Sequence, residues 1–157
     1  MFYNSPTYGK VPLERLKDVV FDYMSKDTTS SYKIIVGSDS QKVVNNVYDF
    51  VNAIVIHRVG SGGIYFWLRT VVTQTMSLKE RMYREATMSL ETSEKLVELF
   101  KEKGILRYNI EIHVDIGNNG KTRVLINELT AMIRGSGYEV KIKPDSFGAS
   151  KVADKYT

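Results

Sequence analysis

The chain has 157 residues, 43% of them hydrophobic and 25% charged, with 3 prolines and no cysteine. That length suits one compact domain with a continuous core, and the lack of cysteine excludes a disulfide scaffold, a cysteine–zinc site and a thiol nucleophile. The net charge of +4, from 22 basic and 18 acidic side chains, permits a polyanionic partner without demanding one, because no basic stripe stands out.

Charged residues break every apolar run well before the ~20 residues of a membrane span. The opening MFYNSPTYGK lacks the basic-then-apolar run of a secretory signal. A soluble, cytoplasmic protein with no membrane partner is expected. The first ten residues read as irregular. From Pro12 to Lys26, Leu13, Leu16, Val19 or Val20 and Tyr23 recur at helical spacing, so a short amphipathic helix is expected there. Residues 27–31 read as a loop, and residues 1–31 as an N-terminal extension to a core spanning 32–157.

Three strand signals follow: Tyr32 to Gln41, Val47 to Arg58 and Ile64 to Gln74. Asn45-Asn46 and a glycine-rich turn separate them, which predicts an antiparallel meander. The period then changes. Leu78 to Lys103 reads as a long helix, opened by Ser77 with Glu80 as a capping box and closed by Gly104. A strand at Asn109 to Ile116, a helix at Lys121 to Arg134, a strand at Tyr138 to Lys143 and a short helix at Ala149 to Tyr156 complete the chain. The order β-β-β-α-β-α-β-α describes an α/β fold with a mixed five-stranded sheet, helices on its faces and an extra N-terminal helix.

Four acids fall at corresponding places. Asp39 ends an apolar strand within Gly37-Ser38-Asp39-Ser40-Gln41, where strand propensity and burial both disfavour it. A turn residue opening the next loop is the plainer reading. Asp115 closes a second strand, at the edge where open α/β sheets bind ligands. Glu85 lies a heptad after Leu78 and three residues after Met82, so it points toward the sheet while Glu80, Glu91, Glu94, Glu98 and Glu102 face away. A carboxylate so placed needs a cation or an arginine such as Arg81 or Arg123. Asp154, on the last helix, would alone pass for a surface residue, and Asp145 for a helix start. Gathered carboxylates suit hard divalent cations such as Mg²⁺, and two such ions about 3.5–4 Å apart can hold a scissile phosphate.

This order of elements and acids looks like the ribonuclease H fold. The phrases IIVGSDSQ, HVDIGNNGKT and KPDSFGASKVADKYT resemble the bacterial YkuK-type family, which is regarded as ribonuclease H-like. The resemblance covers residues 32–157. It implies a metal-dependent phosphodiesterase fold with Asp39, Glu85, Asp115 and Asp154 on the acidic tetrad. The expected activity is hydrolysis of nucleic-acid phosphodiester bonds with Mg²⁺ or Mn²⁺, on RNA, DNA or a hybrid. Lys121, at a helix start, and Ser40 and Gln41, beside Asp39, are the expected substrate contacts. Gly120-Lys121-Thr122 is not a phosphate loop, because the glycine required five residues earlier is Asp115. His113 reads as a core-margin residue. The rival readings are a binding module that keeps the fold without turnover and a hydrolase of a small phosphorylated molecule.

Overall fold

The computed structural model describes residues 1–117, 120–146 and 152, and for residues 120–122 the backbone alone. Its centre is the meander formed by β3 (Tyr32–Val44), β4 (Val47–Arg58) and β5 (Gly63–Thr73), whose β-branched runs pair antiparallel along nearly their whole length. The β3–β4 turn is Asn45-Asn46, with Asn46 at φ 62°, a left-handed conformation that asparagine tolerates. Strands β6 (Ile110–His113) and β7 (Glu139–Lys141) add in parallel beyond β3.

Two strands were not expected. Residues within the supposedly irregular start form β1 (Phe2–Ser5) and β2 (Gly9–Pro12), an antiparallel hairpin whose first strand meets β5 at Asn4 and Trp67. Among the described residues the sheet therefore has seven strands, in the order β2-β1-β5-β4-β3-β6-β7, where five were expected. Each added strand has only four residues, too few for alternation to declare itself. Burial of Tyr3 and Val11 shows what holds the hairpin down.

Helices α1 (Leu13–Ser25), α2 (Leu78–Phe100) and α3 (Ile126–Gly135) share one large core on a single sheet face. There Leu16, Val20, Leu96, Phe100, Leu129 and Ile133 meet Ile34, Val36, Ile54, Ile56, Phe66 and Ile112. The opposite face carries a smaller cluster of Ile35, Val51 and Ala53, against which Val152 packs. The terminal helix expected at Ala149 to Tyr156 otherwise lies outside the described residues. The expected helix at Lys121 to Arg134 opens with a 3-10 segment, Gly120–Leu125, and is α-helical only from Ile126. No helix among the described residues is long and apolar enough to cross a membrane.

Helix α2 has the expected start: Ser77 Oγ accepts the Glu80 N–H at 3.1 Å and Glu80 Oε1 accepts the Ser77 N–H. Its sheet-facing side carries small and polar residues as well as apolar ones. Ser89 Oγ lies 2.8 Å from Ser38 Oγ, Asn52 Nδ2 donates to Ser38 Oγ at 2.8 Å, and Thr92 Oγ1 donates to Asn52 Oδ1 at 2.8 Å. All four side chains are buried. This satisfied network sets the seat of α2 against β3 and β4, and so the height at which Glu85 meets the sheet.

Candidate carboxylate centre

Strand alternation sorts β3 into two faces. Ile34, Val36, Ser38 and Ser40 turn toward the helices, while Ile35, Gly37, Asp39 and Gln41 turn to the other side. Asp39 does not end the strand as expected, because pairing with β4 continues to Val44. On its other edge the pairing does stop early. The last parallel pair of β3 and β6 is Gly37 with His113, two residues short of Asp39. Beyond that point β6 leaves β3 and stays with the chain around β7, for the Val114 N–H donates to the Lys141 carbonyl at 2.9 Å and the Lys143 N–H to the Ile116 carbonyl at 2.8 Å. Asp39 thus borders the place where two parallel strands part.

Asp115 lies across that parting. The regular register ends at Gly37, His113 and Lys141, and the Lys143 N–H goes to the Ile116 carbonyl, two residues beyond the Val114 carbonyl that a continued register would give. Past this break Lys143 Nζ lies 3.1 Å from Asp115 Oδ1. Sequence reasoning missed Lys143, because the contact is made where the two chains leave their regular pairing.

Glu85 comes from the opposite side. It is only 6% exposed, on the inward face of α2, as its spacing predicts. Ser40 Oγ donates to its Oε2 at 2.5 Å. The same hydroxyl accepts from Arg81 Nε at 3.3 Å, while an Arg81 terminal nitrogen donates to the Ser40 carbonyl at 3.0 Å. Arg81 also lies 5.1 Å from the centre of the Tyr48 ring. The arginine weighed as a direct partner for Glu85 therefore reaches it through Ser40. Burial pushes the Glu85 carboxyl up to about 8; the Ser40 hydrogen bond opposes this, Asp39 adds to it, Arg81 opposes it and Asp115 adds again. Both aspartates are thus near enough for their charges to act on Glu85. At neutral pH Glu85 holds a proton.

The remaining expected residues fall as follows. Ser40 is buried, with its hydroxyl engaged by Glu85 and Arg81. Gln41 is exposed on the face of Asp39. Lys121 has a described backbone only, and Asp154 lies outside the described residues. His113 is buried, with Nε2 3.0 Å from Glu111 Oε1, and Lys33 Nζ is 3.1 Å from Glu111 Oε2. Burial drives the His113 pKa down, against the pull of Glu111. Burial alone would raise Glu111, but its bonds to His113 and Lys33 outweigh that and hold the carboxyl below the usual range. The neutral imidazole therefore donates Nε2–H to an ionised carboxylate.

Over residues 16–157 the chain matches the ribonuclease H-like family. It belongs to that family. A relative from Bacillus subtilis, described as the uncharacterized protein YkuK, is 34% identical, with the match covering 100% of this chain and 96% of the relative. No solved structure gives a significant match. The ribonuclease H-like match starts inside α1, so helix α1 largely falls within it, whereas the β1–β2 hairpin does not. The mixed sheet, with its three antiparallel strands leading into parallel ones, agrees with membership of this family.

Whether the centre suits a metal turns on its donors. Asp39, Glu85 and Asp115 offer oxygen alone, the donor type of Mg²⁺ and Mn²⁺, and one of the three is a buried acid that a cation can relieve of its proton. Among the described residues no three His, Asp or Glu side chains form a ready-made metal cage. The chemistry of the donor set fits, and Asp154 stands outside that comparison.

Proposed function

We propose that this ribonuclease H-like chain is a nuclease that hydrolyses nucleic-acid phosphodiester bonds with Mg²⁺ or Mn²⁺. What supports the reading is that Asp39 and Asp115 come from the two strands that part beyond Gly37 and His113, and that the charges of both act on the buried Glu85 of α2. Family membership supports it at the level of the fold. Asp39, Glu85 and Asp115 would hold the metal, with Asp154 as the fourth ligand that the family resemblance implies. The ions, when bound, supply activation of water and stabilisation of the leaving oxygen.

The chain's own residues set the conditions. Ser40 fixes Glu85 Oε2 through its hydroxyl, and Arg81 fixes Ser40. Glu85 gives up the proton it holds at neutral pH as positive charge enters the centre. Gln41, exposed beside Asp39, is available to a substrate strand lying along that face, and Lys121 is the further substrate contact.

Calorimetry with Mn²⁺ tests the first half of this reading: binding in the wild type should vanish in Asp39→Asn. A panel of labelled RNA, DNA, hybrid and branched substrates tests the second, with cleavage lost in Asp39→Asn and Asp115→Asn. Mn²⁺ binding and nucleic-acid binding without any cleavage would instead support the module without turnover. Cleavage that survives both substitutions together would overturn the assigned roles.

A further inference from the structure

Lys143 is held in place at both ends of its side chain. Its backbone N–H is bonded to the Ile116 carbonyl at 2.8 Å, and its stem runs over Gly117. A Cβ built on Gly117 would stand 3.2 Å from Lys143 Cβ, tighter than side chains ordinarily pack, and in ordinary contact with its Cδ at 3.5 Å, so a side chain there would press on the base of the stem. The head then reaches Asp115 Oδ1 at 3.1 Å. Lys143 is 59% exposed, so its ammonium stands at the solvent side of the carboxylate centre rather than inside it. An ammonium has three N–H donors, and Asp115 takes one.

The neighbouring cation is differently committed. Arg81 is half-buried, with its guanidinium turned to the carbonyl and hydroxyl of Ser40 and the ring of Tyr48. A phosphate arriving at the two aspartates meets repulsion unless a cation goes with it. Lys143 stands against Asp115, with donors to spare and open to solvent. We propose that Lys143 is a substrate-phosphate contact of this centre, its ammonium bridging Asp115 and an oxygen of the bound nucleic-acid backbone. The inference rests on the nuclease reading and adds a residue that reading did not contain. It also fixes a sign for metal binding: the ammonium and a metal ion compete for the same Asp115 oxygen.

The test uses the full chain with a labelled single-stranded oligonucleotide, in EDTA so that no cleavage intervenes, with affinity read across a salt series. Removing one phosphate contact lowers the slope of log affinity against log salt by about 0.7 for a single strand. Lys143→Met should show that reduction, Lys143→Arg should keep the wild-type slope, and Gly117→Ala should weaken binding with the charge retained. Lys26→Met, the same charge change at the C-terminal cap of α1, should leave the slope unchanged. Calorimetry with Mn²⁺ reads the second sign. Lys143→Met should bind the ion more tightly, by up to about fivefold, the worth of one exposed ion pair. An unchanged slope in Lys143→Met, or weaker Mn²⁺ binding, overturns the role of Lys143 while leaving the nuclease reading intact. A wild type that binds neither Mn²⁺ nor any oligonucleotide overturns both.

Discussion

Glu85 makes stability depend on pH in an unusual direction. Its carboxyl titrates at about 8 in the folded chain against 4.5 as the ordinary value, so between those pH values the folded state holds a proton that the unfolded state has released. Stability contributed by this group is complete below about pH 4.5, falls as pH rises, and levels off above about 8. At 1.36 kcal/mol per pKa unit, the loss relative to a neutral side chain is about 3 kcal/mol at pH 7 and about 4 kcal/mol at pH 8. Against a domain stability of about 5–15 kcal/mol this is a large fraction. The perturbation is Glu85→Gln, which keeps the shape and an acceptor for the Ser40 hydroxyl but cannot ionise. The assay is urea denaturation of both proteins in EDTA from pH 5 to pH 9, read as a difference. The difference matters because His113, whose pKa burial lowers, pulls the other way: its contribution is lost as pH falls below about 6.5. The two chains should be close at pH 5, and the variant should gain steadily to pH 8. Mn²⁺ at pH 8 should raise the wild type and leave Glu85→Gln behind. A stability difference that stays flat across this range would show that Glu85 ionises as an ordinary solvated carboxyl.

Three further outcomes follow from the same contacts. Arg81→Met removes the donors to the Ser40 carbonyl and hydroxyl, which should cost about 1–3 kcal/mol in chemical denaturation and weaken Mn²⁺ binding, with Arg81→Lys intermediate in both. Asn52→Ala takes one hydrogen-bond partner from each of the buried Ser38 and Thr92 hydroxyls beneath α2 and should cost about 1–3 kcal/mol, measured by thermal unfolding; a neutral result would mean that the network does not seat the helix. Lys33→Met takes away one of the two bonds that hold Glu111 low, so the Glu111 carboxyl resonance in a pH titration should move toward ordinary values, and an unmoved titration would contradict the pairing.

The sequence showed most clearly those parts of the fold whose signal is long. The three meander strands and α2 each span ten residues or more, so period, caps and turn residues reinforce one another, and Glu85 could be placed facing the sheet from its spacing alone. The β1–β2 hairpin was hidden because four residues cannot establish an alternation, and its hold depends on Tyr3 and Val11 packing into a core built by distant residues. Asp39 was recognised as an anomaly, but the strand does not end there. What ends is its pairing with β6 alone, a fact about register between segments some seventy residues apart. Lys143 and the link from Arg81 through Ser40 to Glu85 were invisible for the same reason. Each is a contact made across the sheet or between helix and strand, and no local pattern encodes it.

The most direct test of the carboxylate centre is the anomalous scattering of Mn²⁺ in crystals soaked with the ion. A peak within coordination distance of oxygens from Asp39, Glu85 and Asp115, absent in crystals of Asp39→Asn, is the result expected here. Soaked crystals in which Glu85 still donates or accepts only at Ser40, Lys143 still sits on Asp115 and no peak lies between the three carboxylates would contradict it.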